Sequence, residues 1–237
     1  MNVAIKAVGF DLDDTLYDRN EIYASVYKVM QQTVLELPVS FSDFNEIYQL
    51  ESIKWYQRFM SQECSEEDYQ IQRVIDTYDH FGEKVRFADG KLFNDLYVYF
   101  KDSVKLRPFM KEMIQLVINR DLDLFILTNG PSANQWHKIE TLQLDRWFKP
   151  DRLFVSGDLG LTKPDRAIFD HLADQMGYES NELLYIGDHY VNDIKGAKEA
   201  GWQAIYFDCF NQGPLEEAVP TFQTEQQLYD YLHRRFP

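Results

Sequence analysis

The chain has 237 residues, 45% of them apolar, enough for one well-buried domain and a smaller one. Its 39 acidic against 24 basic residues give a formal charge of −15, which argues against nucleic acid as a partner, because phosphate backbones are held by basic surfaces. The two cysteines, Cys64 and Cys209, have no ligand-type spacing and form no disulfide framework, and no run approaches the ~20 apolar residues of a membrane span, so a cytoplasmic protein with no membrane partner is expected.

Residues 3–10 form a short apolar stretch that reads as a buried strand rather than a signal peptide. From Asp18 to about Phe100 the periodicity becomes helical. Asp18 with Glu21 reads as a capping box, followed by Ile22, Val26, Val29, Met30 and Leu37 on one face. Ser65 with Asp68 opens another helix, striped by Ile71, Val74, Ile75 and Tyr78, and a third stripe runs through Leu92, Phe93, Leu96, Tyr97 and Phe100. After Pro108, read as a first helical residue, helix and strand alternate. Helices are expected at 108–120, 132–143, 165–176 and 191–200, and strands at 122–128, 152–156, 183–187 and 203–207. A short strand near Phe222 and a helix over 224–235 close the chain. Ser132 and Asn134 are expected to cap the helix at 132–143. Strands that are continuous apolar runs belong to sheets covered on both faces. The fold class is therefore α/β, a doubly wound, Rossmann-like parallel sheet (residues 1–17 and 105–237) with an inserted all-helical domain (18–104).

In such folds ligands bind beyond the carboxyl ends of the strands, and the polar punctuation of this chain falls there. The first strand ends in Asp11-Leu12-Asp13-Asp14-Thr15, the second in Thr128-Asn129-Gly130. Lys163-Pro164 precedes a helix, and the strand at 183–187 runs into Asp188 with Asp193 five residues on. Two carboxylates one residue apart are costly: at 4 Å and an effective dielectric near 20, a like-charge pair costs roughly 4 kcal/mol. A fold keeps the pair if a cation neutralises it or one member holds a proton for chemistry.

Four such motifs in this order, DLDDT at 11–15, TNG at 128–130, Lys163-Pro164 and GDHYVND at 187–193, resemble the haloacid dehalogenase superfamily, and the helical insertion is similar to that family's C1-type cap. The resemblance implies a phosphomonoester hydrolase acting through an aspartyl-phosphate on Asp11. Asp13 would serve as general acid and base, with Lys163, the Thr128 hydroxyl and the Asn129 and Gly130 backbone amides holding the phosphoryl oxygens. It also implies Mg2+, held by Asp11 and Asp188, by the Asp13 carbonyl, and by Asp193 directly or through its neighbours. The implied partner is a small phosphorylated metabolite such as a nucleoside monophosphate or sugar phosphate. The family's dehalogenases lack an acid at the Asp13 position, because halide leaves without a proton. A phosphomutase and a non-catalytic metal-binding scaffold or regulator are the alternatives. His189 is expected to order its loop or to lie at the cap interface, and the aromatic residues of the insertion to serve packing.

Overall fold

The computed structural model describes residues 4–212 and 218–237. The chain divides into two compact units, Met1–Asp18 with Lys105–Pro237, and Arg19–Val104. In chain order, strand β1 (Ala7–Phe10) leads to four helices: α1 (Arg19–Thr33), α2 (Phe41–Met60), α3 (Glu66–His80) and α4 (Phe87–Lys101). Then come α5 (Met110–Ile118), β2 (Asp123–Thr128), α6 (Ser132–Thr141), β3 (Leu153–Val155) and the single turn α7 (Ser156–Leu159). The chain closes with α8 (Arg166–Met176), β4 (Leu183–Gly187), α9 (Gly196–Glu199), β5 (Gln203–Phe207), β6 (Thr221–Phe222) and α10 (Glu225–Arg235).

Within the helical unit, α3 starts as the sequence predicts: Ser65 Oγ accepts the Asp68 amide while the Asp68 carboxylate accepts the Ser65 amide. Helix α2 matches none of the three expected stripes. Its buried residues are only Phe44, Tyr48 and Ser52, whereas Leu50, Ile53, Tyr56 and Met60 are exposed, so no clean apolar face shows in the sequence. The helix starts after Ser40, which caps it by accepting the Asp43 amide at 3.1 Å. Phe44 then joins Tyr27, Tyr48, Tyr78 and Phe93 in a ring cluster with centroids 4.5–6.3 Å apart, so these aromatic residues are packing.

In the α/β unit, the six described strands run parallel in the order β3-β2-β1-β4-β5-β6. β1 lies between β2 and β4, where the strand order reverses, and that reversal opens a crevice at the strands' carboxyl ends. Every residue of β1 and β4 is buried. Ala7, Phe125, Leu127, Leu183 and Tyr185 pack with Ile168, Phe169 and Leu172 of α8 and Ala197 of α9 on one face. By alternation Val8, Phe10, Leu124 and Ile126 face the other way, where α5 packs on β2 and α10 on α5.

Three local expectations change. Only Ala7–Phe10 of the stretch 3–10 pairs as a strand, and Val3 lies outside the described residues. Pro108 sits in a turn before α5, because Phe109 adopts a left-handed conformation at φ 64° and the helix starts one residue later. Helix α6 starts at Ser132 itself after Pro131, so Ser132 is one position too late to cap it and its hydroxyl meets Asp158 instead.

Gly9 is required by a close approach. A Cβ placed there would lie 2.1 Å from the Phe125 ring. That ring has little room to move, since Trp202 meets it edge-on at 5.7 Å and Tyr185 stacks at 6.3 Å. Gly9→Ala is expected to lower stability by about 1–3 kcal/mol, the usual cost of overpacking a core, read as a fall in the urea unfolding midpoint with unchanged slope.

Candidate active site

The crevice gathers side chains from five separate segments. The end of β1 delivers Asp11, whose amide is fixed to the end of β4 by a 2.9 Å bond to Ile186 O. The loop before α8 delivers Lys163, buried, whose ammonium lies 2.6 Å from Asp11 Oδ1, 2.6 Å from Asp193 Oδ1, 2.9 Å from the Tyr185 hydroxyl and 3.2 Å from Leu127 O. The end of β4 delivers Asp188, whose Oδ1 accepts the Thr15 hydroxyl at 3.0 Å. A wide π-helical turn, Tyr190–Lys195, stands where the sequence predicted a regular helix from 191, and it delivers Asp193. The end of β2 delivers Thr128, buried at the same rim.

The loop that carries Lys163 is tied down by Asn129, which forms a reciprocal pair with the Lys163 backbone: Nδ2 donates to its carbonyl at 2.8 Å and Oδ1 accepts its amide at 3.0 Å. The Gly130 amide donates to Ser156 Oγ at 3.0 Å. Asn129 and Gly130 thus shape the loop in this structure. Both oxygens of Asp193 are engaged by protein, Oδ1 by Lys163 and Oδ2 by the His189 amide at 2.9 Å. Gly187 makes room for that carboxylate, since a Cβ there would sit 2.4 Å from Asp193 Oδ2. His189 accepts the Asn192 amide on Nδ1 at 3.1 Å and so orders its own turn.

Asp13 turns to a different cation. Lys138 of α6 places its ammonium 2.7 and 2.8 Å from the two Asp13 oxygens, the Tyr17 hydroxyl donates to Oδ1, and Gln135 Nε2 lies 3.0 Å from Oδ2. The like-charge pair that made the first motif conspicuous is therefore separated, with Asp11 facing Lys163 and Asp13 facing Lys138. Lys138, Gln135, Tyr17 and Tyr185 are members of the site that sequence reasoning did not name. The spacing of Gln135 and Lys138, three residues apart on the helix after Thr128-Asn129-Gly130, was the available signal, since it puts both on one face. Arg107 is engaged with Asp18 at 3.3 Å, Glu225 at 3.2 Å and the Asp14 carbonyl at 3.2 Å.

Asp11, Asp188 and Asp193 are all buried, and each offers a carboxylate oxygen within 4.8 Å of the others. Asp11 is raised to about 7, chiefly by burial and further by Asp193 and Asp13, against the opposing pull of Lys163. Burial would lower Lys163, but Asp11 and Asp193 hold it well above its ordinary value. Two of these three clustered carboxylates, Asp11 and Asp193, share the one ammonium, and a divalent cation would neutralise the negative charge that remains. An all-oxygen donor set suits a hard ion such as Mg2+ or Mn2+ better than zinc.

Comparison with known proteins decides the family. A family model described as haloacid dehalogenase-like hydrolase matches residues 5–201. The chain belongs to this family. As members go, it is similar to pyrimidine 5'-nucleotidase PynA of Streptococcus pneumoniae, with 25% identity over 95% of this chain and 94% of that protein. It is similar also to a glyceraldehyde 3-phosphate phosphatase of Methanothermobacter thermautotrophicus, with 28% identity over 85% of this chain and 84% of the relative. Among solved structures, the putative HAD-hydrolase YfnB of Bacillus subtilis, crystallised with magnesium, shares the fold at a TM-score of 0.71 and 23% identity, covering 97% of this chain and 99% of that one. No helix among the described residues is long and apolar enough to cross a membrane.

A cation that binds only the folded state raises stability by about 2.7 kcal/mol at a hundred times its Kd. Saturating Mg2+ or Mn2+ is therefore expected to raise the thermal unfolding midpoint of the hydrolase by several degrees. Asp188→Ala is expected to lose most of that increment, measured by calorimetry with and without chelator.

Proposed function

We propose that this hydrolase is a Mg2+-dependent phosphomonoesterase that works through an aspartyl-phosphate on Asp11 and acts on a small phosphorylated metabolite. The observation that carries the reading is the convergence of Asp11, Lys163, Asp188 and Asp193 at one buried point, with Asp13 alongside on its own cation. In this reading residues 1–17 and 105–237 are the catalytic core and 18–104 a cap. Nucleoside monophosphates and sugar phosphates are the substrate classes to test first, since the relatives include a pyrimidine 5'-nucleotidase and glyceraldehyde 3-phosphate phosphatases.

The Asp11 carboxylate attacks phosphorus in line, and the ester P–O bond breaks as a new bond forms to the Asp11 oxygen. Asp13 in its protonated form gives that proton to the departing alkoxide, and the resulting carboxylate then takes one from the water that cleaves the acyl phosphate, releasing inorganic phosphate and restoring both Asp11 and the protonated Asp13. Lys163 and the Thr128 hydroxyl hold the equatorial oxygens as charge spreads over them. Asn129 keeps Lys163 in register, and Thr15 orients Asp188. A bound Mg2+, held by Asp11, Asp188 and the Asp13 carbonyl, supplies the charge neutralisation that lets one anion approach another. Asp193, whose oxygens already serve Lys163 and the His189 amide, acts chiefly by orienting these groups.

Asp11→Asn is expected to abolish phosphate release while the protein stays folded, since Lys163 keeps Asp193 and Tyr185 and one surplus carboxylate is gone. Asp13→Asn should slow turnover by about 100-fold or more, in keeping with the loss of a general acid–base group. Both are measured on a panel of phosphorylated metabolites and p-nitrophenyl phosphate, with and without Mg2+. Wild-type turnover of none of these by a folded preparation would favour the scaffold reading, and isomerisation of a hexose phosphate without net phosphate release would favour the mutase.

A further inference from the structure

In the proposed reaction Asp13 must reach two different oxygens in turn, the leaving group's and then the water's, so the direction of its carboxyl matters as much as its presence. Side chains outside the first motif hold that direction. The groups that do so come from α6 and from the turn after β1. Lys138 spans both oxygens at 2.7 and 2.8 Å from a side chain 22% exposed, and Gln135 approaches Oδ2 at 3.0 Å. Gln135 is itself buried, and its Nε2 lies also 3.1 Å from Thr128 Oγ1 and 2.5 Å from Asn129 O. Three acceptors around one atom fix which end of the amide is nitrogen. Its Oε1 is buried without a hydrogen-bond partner among the described residues. A buried amide that leaves its own oxygen unsatisfied is poorly explained by packing alone, and such exceptions call for a functional account. Here the nitrogen end links the Asp13 carboxyl to the Thr128 hydroxyl, and Lys138 lies one helical turn further along α6.

We propose that Lys138 is a positioning residue for the reaction: acting through Asp13, with Gln135 beneath, it holds the carboxyl at the crevice rim in the orientation that proton transfer requires. The inference rests on the acid–base role given to Asp13 above. Helix α6 then does more than cover the sheet, because its first two turns couple the residue that handles the proton to the hydroxyl that holds the phosphoryl group. Among the described residues the Lys138 ammonium bonds only to the two Asp13 oxygens, so it acts on the proposed phosphoryl site through Asp13.

The test uses two aryl leaving groups that differ in their need for a proton. Nitrophenolate departs from p-nitrophenyl phosphate with little help, whereas phenolate departs from phenyl phosphate much less readily. Full-length Lys138→Met is expected to lose at least tenfold in kcat/KM on phenyl phosphate and no more than threefold on p-nitrophenyl phosphate, and Lys138→Arg to stay within threefold of wild type on both. Asp13→Asn, run alongside, should show the same asymmetry more strongly. If it does while Lys138→Met loses equally on both substrates, or raises KM with kcat unchanged, the lysine is structural or binds the substrate anion and the inference falls alone. If Asp13→Asn shows no asymmetry, the acid–base assignment falls and takes the inference with it. A crystal structure of Lys138→Met gives a reading independent of turnover: the Asp13 carboxyl is expected to leave Gln135, and an unmoved carboxyl overturns the proposal.

Discussion

A single buried ammonium organises this site. Stripping an amine of water costs several kcal/mol, repaid only by close partners that are themselves well placed. Lys163 finds two carboxylates, a phenol and a carbonyl, drawn from β1, the turn after β4, β4 itself and β2. Each partner is thereby fixed relative to the others, and the strand order puts all of them at the one place where the sheet changes direction. Asn129 holds the lysine's backbone and Tyr185 its head, so the charge is anchored at both ends.

Around that centre the buried carboxylates outnumber the ammonium they gather beside. Three carboxylates against one ammonium leave Asp11 raised to about 7 by burial, against the pull of Lys163. Asp13 is kept out of this arrangement by a second lysine on another helix, so neighbouring carboxylates experience different fields and can take different parts in one reaction.

The sheet was legible in the sequence because its strands are buried on both faces and so read as unbroken apolar runs; β4 and β5 begin and end where expected. Asp11, Thr128, Lys163, Asp188 and Asp193 were legible because strand ends punctuate those runs with polar residues. Less visible was whatever depends on contact across the fold. Lys138 and Gln135 look like ordinary polar residues on a solvated helix, and only coordinates bring them to Asp13. Tyr185 reads as a core aromatic, and its hydroxyl becomes informative only beside Lys163. The wide turn at Tyr190–Lys195 departs from a regular helix because the Asp193 carboxylate must turn back toward Lys163 and the His189 amide. Helix α2 stayed hidden for the opposite reason, having too little buried surface to leave a stripe.

The parallel register has a bearing on how the chain is made. Ala7 pairs with Asp123 on one side and with Leu183 on the other. Strand β1 therefore waits more than a hundred residues for its first partner and longer still for its second, and such distant pairings are slow to form. Residues 19–104, whose helices contact their sequence neighbours, can condense meanwhile. Nascent chains stopped short of β4 would expose an unpaired edge of β1 and lack Asp188 and Asp193, so synthesis must pass that strand before a cation can be captured at all.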